Sequence, residues 1–396
     1  MISNSLEVFE PATETELAKQ LARANADGLA VLPRGGGTKS DWGNPPERAD
    51  LVLSTRRLDR VLEHAAGDMT VTVEAGCTIA KLQETLAKQG QRLAIDPLWP
   101  EQATVGGVLA TNDNGSLRHA FGSLRDLIIG VTVALPDGTL ARSGGKVVKN
   151  VAGYDLPKLM VCALGTLGVI TQATFRLHPL PAFSRALLFR APGIDAANTF
   201  ILGVATSPLA VTGVEMRASS GTEFAAVGVR IEGSVAAPGA EALDAIASAC
   251  GTRCLADADP AWGDREYIFS ANDSAAACKV SVPQSRIADC CRALDRTCRP
   301  AAPDRLAWSL VIEGVGVGWV QVVASDVASL AANLPSLRRE LAEIGGSLGV
   351  LRGPPELKGQ VDSWGDVGDA LPLMRRLKEQ FDPSRTLNPG RFVGGI

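Results

Sequence analysis

The sequence predicts an α+β protein of two domains with a returning tail, and three observations carry that prediction. Helix-period and strand-period stretches alternate over the first 181 residues. Pro179 and Pro181 then interrupt the chain, and from residue 182 onward apolar strands alternate with amphipathic helices in the manner of one antiparallel sheet with helices on one face. The final stretch is a helix followed by an extended tail. The expected divisions are 1–181, 182–355 and 356–396, the last joining the first. A chain of 396 residues, 46% hydrophobic and 21% charged, is long enough for two or three domains of about 150 residues, and it is too apolar to be disordered.

In chain order, "PATETELAKQLARANA" predicts a helix, with Thr13 and Glu16 at capping-box spacing and Leu17, Leu21 and Ala24 along one face. "LAVLPRGGG" predicts a strand that ends in glycines, and ligands gather at that end of strands in open α/β sheets. "MTVTVEAG" alternates as a strand, and "TIAKLQETLAKQG" is a helix capped by Thr78 and stopped by Gly90. "LIIGVTVALPDGTLARSGG" is a hairpin turning at Asp137-Gly138, "YDLPKLMVCALG" a helix, and "GVITQATFRLHPLP" a strand. Beyond it "FAAVGVRIEG", "AACKVSVP", "RLAWSLVIEGVGVGWVQVVAS" and "GSLGVLRGP" are strands, with "GAEALDAIASAC" and "VASLAANLPSLRRELAEIGG" among the helices. The C-terminal helix shows Leu373, Leu377 and Phe381 on one face, so that face needs a partner surface.

Net charge of −4 gives nucleic acid no foothold as the main partner. There is no apolar run of about 18 residues and no signal-peptide pattern, so the expected location is cytoplasmic, with at most peripheral docking on a membrane-bound complex. Six of the eight cysteines lie between Cys250 and Cys298, but none forms the Cys-x-x-Cys pair common in metal and cluster sites, so they read as reduced core thiols.

Three glycine-rich stretches stand out. "PRGGGTK" (33–39) suits either a plain loop or a nest of main-chain N–H groups around phosphate. The run from Asp96 to Asp126 gathers Thr104, Gly106, Gly107, Thr111, Asn112, Asn114, Gly115 and Ser116, hydroxyls and amides in a long loop. The third, from Gly144 to Leu177, holds Gly165, Thr166 and Gly168 between a helix and a strand.

Taken in order, these stretches resemble the FAD-binding domain of the vanillyl-alcohol-oxidase/cresol-methylhydroxylase (PCMH) type. "FDPSRTLNPGRF" (Phe381–Phe392) resembles the ending of FAD-linked 2-hydroxy-acid oxidases. With "GGKVVKNVAGYDLPKLM" the set is most similar to the FAD-binding E subunits of glycolate oxidases, and the match covers about residues 8–181 and 372–392.

The resemblance implies a two-subdomain PCMH-type FAD-binding domain followed by a smaller α+β domain. It implies FAD as cofactor, with Gly35, Gly36 and Gly37 wrapping the pyrophosphate beside Pro33, Arg34, Thr38 and Lys39. Pro97, Thr104, Gly106, Gly107, Thr111, Asn112, Gly115, Ser116, Gly122 and Asp126 are carried over as further cofactor contacts, and Gly168, Val169 and Ile170 as contacts along a strand. It also implies oxidation of glycolate, a small 2-hydroxy acid, in a complex whose sister FAD subunit is catalytic and whose iron–sulfur subunit takes the electrons. Single-chain members place histidines and a carboxylate near a metal in the second domain. This chain has only His64, His119 and His178, so no catalytic or metal-ligating residue is assigned. His119, Arg118, Arg265 and Arg391 remain candidates to face the flavin or a substrate carboxylate, with Arg265 favoured by "WGDREYIFS", and Lys146 and Lys149 either balance flavin charge or sit exposed. A stand-alone hydroxy-acid dehydrogenase and a flavin-fold scaffold both stay open.

Overall fold

The computed structural model describes residues 6–145, 155–233, 239–257, 264–270, 273–298 and 306–396. Lys146, Lys149 and most of the "GGKVVKNVAGYDL" motif lie outside them. The chain divides into two compact units: one holds the stretch ending at Gly115 together with Phe121–Leu180 and Asp366–Ile396, the other Ser116–Ala120 and Pro181–Gly365.

In the first unit, β1 (Glu7–Phe9), β2 (Val31–Arg34) and β3 (Leu51–Ser54) form a parallel sheet in the order β1-β3-β2. Helix α1 (Glu14–Ala26) connects β1 to β2. Its Thr13 hydroxyl accepts from the Glu16 amide, while the Glu16 carboxylate accepts from Ala12 N rather than closing the expected box on Thr13. Leu17 and Leu21 are fully buried against Val31, Leu51 and Leu53, about 1.5–3 kcal/mol of burial each.

Next come β4 (Val61–Ala65), β5 (Thr70–Glu74), α2 (Ile79–Ala87), β6 (Gln91–Arg92), α3 (Val105–Thr111), α4 (Arg118–Phe121), α5 (Leu124–Leu127), β7 (Ile128–Ala134), β8 (Leu140–Gly144), α6 (Leu156–Met160), β9 (Val169–Arg176) and β10 (His178–Pro179). An antiparallel five-stranded sheet runs β4-β5-β9-β7-β8, and its core packs Val73, Val133 and Phe175 with Leu82, Leu86 and Leu109 of α2 and α3. Thr78 caps α2 and Gly90 follows its end with a left-handed φ, as expected. The predicted helix over "YDLPKLMVCALG" is shorter: α6 ends at Met160, and Cys162, Leu164 and Gly165 all take positive φ. Cys162 N and Leu164 N bond instead to the Leu109 and Ala110 carbonyls, so α3 displaces the continuing helix.

The second unit carries β11 (Phe183–Ala191), α7 (Ile194–Ala205), β12 (Val211–Ser219), β13 (Ala225–Gly233), α8 (Gly239–Ala249), β14 (Arg253–Asp257), β15 (Ala275–Ser281), α9 (Ile287–Cys298), β16 (Ala307–Glu313), β17 (Val317–Val323), α10 (Val327–Glu343), β18 (Ser347–Arg352) and α11 (Pro355–Gln360). Its eight strands pair antiparallel throughout, in the order β14-β11-β13-β12-β16-β17-β15-β18. Helices α8, α7, α9 and α10 touch in that sequence across it. Val214, Met216, Ile312 and Val320 face that helical core, so by strand alternation Glu215, Arg217 and Glu313 lie on the opposite face. Cys278, Cys290, Cys291 and Cys298 are buried in the same core, whereas Cys254 is exposed.

The expected boundary at 355/356 falls instead at 365/366. Leu357 of α11 belongs to the second unit's core, and Ser363 O accepts from Val350 N and Arg338. The last helix, α12 (Leu371–Phe381), belongs to the first unit, but its predicted stripe is overturned at Leu373, which is 61% exposed; Lys378 is the residue α12 buries.

Candidate functional site: a glycine-walled cleft in the first unit

Strand β2 ends at Arg34 and delivers Gly35, Gly36 and Gly37 to the lining of a cleft. The sequence-predicted residues Pro33, Arg34, Gly35, Gly36, Gly37, Thr38, Lys39, Thr104, Gly106, Gly107, Thr111, Gly168, Val169, Ile170 and Arg391 all line it. So do Ser40, Thr55, Ala110, Met160, Ala163, Leu164 and Gly165. None of those seven was assigned as a contact, although Gly165 stands in the third glycine-rich stretch; the left-handed backbone at Leu164 had no signal of its own.

The glycines have no room to be anything else. A Cβ on Gly36 would lie 1.8 Å from the Gln102 carbonyl oxygen, and one on Gly35 would lie 2.1 Å from Thr104 Oγ1. The amides of Gly36 and Gly37 bond to no other group of the described residues. At α3 the amides are already used: Val105 N bonds to Cys77 O, Gly106 N to Ala75 O and Gly107 N to Thr104 Oγ1. The cleft therefore offers free main-chain donors at the glycine loop rather than at the helix start.

Among the described residues no carboxylate side chain lines the cleft. Lys39 does, but its ammonium is buried against Asp113 at 3.1 Å and lies over the Trp42 and Trp99 rings. Arg391 is also turned away: its guanidinium donates to the carbonyls of Lys39 (2.8 Å), Ser40 (3.0 Å) and Trp42 (3.2 Å). Burial pushes Arg391 down to about 10, opposed by Asp41, so it remains a cation at neutral pH. Arg34 is left as the exposed cation at the glycine end, and Ala110, Met160, Ala163, Leu164, Val169 and Ile170 make the other part apolar. The open amides of Gly36 and Gly37 for a diphosphate, beside an apolar wall for a ring system, fit FAD on residues actually present.

The remaining predicted residues do not line the cleft. Asn112 takes φ of 48° as the C-cap of α3, and Pro97 is buried. Gly115 N bonds to Asp96 and Asn114. Asp126 caps α5 through Ser123 and packs on Gly122, a purely local task. Burial, the largest single influence, raises its carboxyl, but the two Ser123 bonds with Arg176 and Lys158 together outweigh it, and the net shift is downward. Ser116, Arg118 and His119 cluster with the second unit, so the sequence reading of His119 as a first-domain residue is corrected. The physical cause is Arg118, whose Nε lies 3.4 Å from the fully buried Glu313. His119 is lowered by burial, and its Nδ1 has no hydrogen-bond partner. Arg265 is buried in that unit with its guanidinium 4.8 Å over Trp319.

Residues 6–144 match the FAD binding domain family, and residues 365–392 match the C-terminal domain of FAD linked oxidases. Two separate stretches of the chain are thus similar to the domains of FAD-linked oxidases. Its cofactor is FAD. It is similar to glycolate oxidase subunit GlcD of Bacillus subtilis (strain 168), 34% identical over 190 residues, 48% of this chain and 40% of that one. It is 31% identical over 199 residues to glycolate oxidase subunit GlcE of Escherichia coli (strain K12), 50% of this chain and 56% of that one. The chain thus spans about half the length of these relatives. The fold matches the solved structure of an alkyldihydroxyacetonephosphate synthase, with TM-score 0.75 and 19% identity over 97% of this chain and 77% of that one. Among the described residues no helix is long and apolar enough to cross a membrane, and no group of three His, Cys, Asp or Glu side chains is placed to hold a metal.

Proposed function

We propose that the chain is the E-type FAD subunit of a multi-subunit glycolate oxidase, in which a sister FAD subunit oxidises glycolate to glyoxylate and an iron–sulfur subunit carries the electrons onward. FAD bound in the cleft supplies two-electron acceptor chemistry, and this subunit uses it as a relay in the cytoplasm, peripheral to the membrane through its partners. The glycine loop holds the pyrophosphate by main-chain N–H groups, Arg34 balances its charge, and Val169, Ile170 and Met160 shield the ring from water.

The observation that carries the relay reading is how the second unit employs its buried carboxylates. A base for the substrate hydroxyl has to be available within hydrogen-bond reach. Glu313 lies 3.4 Å from Arg118 Nε, and Glu215 accepts from Arg217 Nε at 2.9 Å, so each faces a neighbouring cation rather than standing open to a substrate hydroxyl. A missing base removes about 10²–10⁴ in rate. The purified chain should be yellow, turn over glycolate and D-lactate negligibly with an artificial electron acceptor, and gain activity when the sister FAD subunit is added. Robust turnover by the isolated chain, abolished by His119→Ala, would replace this reading with a stand-alone dehydrogenase.

A further inference from the structure

The end of α12 and the segment that follows it are bound to both sides of the cleft. On one side, buried Lys378 donates to Thr166 O at 2.8 Å, to Leu387 O at 3.0 Å and to Asp382 Oδ2 at 2.6 Å. Asp382 in turn accepts from the amides of Thr386 (2.9 Å) and Leu387 (2.8 Å), fixing the turn that leads into the tail. Asn388 Nδ2 donates to Leu164 O at 2.7 Å, beside Gly165. Leu164 and Gly165 line the cleft, and they stand in left-handed conformations, which need outside contacts to hold them.

Between the walls the tail runs along β2. Val31 N bonds to Thr386 O at 2.7 Å and Asn388 N to Val31 O at 3.0 Å, a parallel bridge at the strand that delivers the glycines. On the far side, Arg391 gathers the carbonyls of Lys39, Ser40 and Trp42, the chain leaving the glycine loop. Lys378 of α12 and Asn388 thus tie the 164–166 loop to the tail, main-chain bonds tie β2 to it, and Arg391 ties the 39–42 loop.

The structure assigns to Lys378, Asn388 and Arg391 the role of positioning residues that hold the walls of the cleft at the spacing FAD requires. None of them needs to touch the cofactor, because each acts on backbone that does. The inference rests on reading this cleft as the FAD site, and a guanidinium that contacted the pyrophosphate directly would behave differently. A direct contact acts through charge and weakens with salt, whereas a brace acts through forked geometry and does not.

The test is titration of the apoprotein with FAD, following protein fluorescence, at two salt concentrations, with the melting temperature of each apoprotein measured alongside. Arg391→Lys keeps the charge but loses the fork that reaches three carbonyls. It should weaken FAD binding at least tenfold, speed FAD release, and leave the salt dependence as in the unaltered protein. Asn388→Gly suits the φ of 43° at that position and removes only the link to Leu164, so it should fold and show the same pattern more mildly. Gly36→Val serves as the control for the cleft itself. If it loses FAD while Arg391→Lys and Asn388→Gly bind normally, the cleft reading stands and the brace is refuted. Full restoration of affinity by Arg391→Lys, with a steeper salt dependence after Arg391→Met, would make Arg391 a direct phosphate contact. Retention of FAD by Gly36→Val would overturn both readings.

Discussion

Gly36→Ala and Gly37→Ala differ by one residue and should differ by orders of magnitude in FAD affinity. At Gly36 an added Cβ meets the Gln102 carbonyl oxygen at 1.8 Å, so the loop must retreat by about 1.6 Å to reach ordinary contact at 3.4 Å. At Gly37 the nearest atoms to an added Cβ are 3.8 Å away, and the cost there is the left-handed φ of 79° alone. That conformational cost is about 1–2 kcal/mol. A retreat of the size needed at Gly36 stretches hydrogen bonds near 2.9 Å beyond their useful limit. The amides of Gly36 and Gly37 would then both be lost to a charged diphosphate, at about 1.5–3 kcal/mol each. Two such bonds correspond to a weakening of roughly 10²–10⁴ in Kd. The assay is FAD titration of both apoproteins, with the ratio of 450 nm to 280 nm absorbance of the purified proteins as a check. Gly36→Ala should emerge nearly colourless and Gly37→Ala largely yellow. Equal loading of the two would refute the phosphate role of this loop.

The other predictions concern the structure that supports the cleft. Lys378→Met should destabilise the first unit by about 3–5 kcal/mol, because it leaves Asp382 buried without its ion partner. Adding Asp382→Asn should recover part of that loss in a denaturant titration, and no recovery would show that the pair matters only by packing. His178 is lowered by burial and by Arg176 and Arg92, so the folded chain holds it neutral while the unfolded chain takes up a proton near pH 6.5. Stability should therefore be complete above pH 6.5 and fall as the pH drops below it, and His178→Phe, packed on Phe121, should flatten that decline. A decline unchanged in slope would assign it to other groups. Brief alkylation of the native protein should label Cys254 first and spare Cys278 and Cys290, whose thiols burial pushes up to about 12. Early mass-spectrometric labelling of Cys290 would contradict its place in the core.

What the sequence disclosed is mostly local. The glycine loop was legible because strand, glycines and flanking hydroxyl follow one another within ten residues, and the hairpin at Gly138 and the Thr78 cap for the same reason. The unwinding after Met160 was not, because the acceptors that replace the helical bonds come from α3, some fifty residues earlier. Arg118 and His119 were placed in the wrong domain because the partner that claims Arg118 is Glu313, far along the chain. The stripe on α12 failed in an instructive way. Apolar periodicity marked Leu373 as buried, yet the helix instead buries a lysine that finds a carboxylate and two carbonyls waiting. Periodicity counts apolar side chains and has no means of seeing a cation whose solvation shell the fold rebuilds.

Because the first unit is assembled from three separated pieces of chain, its history on the ribosome differs from that of its neighbour. The strands and helices of the second unit between 181 and 365 are synthesised as one block and are complete in themselves apart from the short 116–120 turn. The glycine loop emerges early and must wait for Arg391, and at about 5–20 residues per second that delay is roughly 20–70 s. During it, β2 presents an unpaired edge at Val31, where the tail will later bridge, and such edges are what chaperones bind. Chains that end between residues 365 and 380, once released from the ribosome, should therefore resist protease over the second unit, remain cleavable around the glycine loop, and carry no flavin. Cofactor loading then follows the emergence of the tail, timed by the position of one arginine in the message.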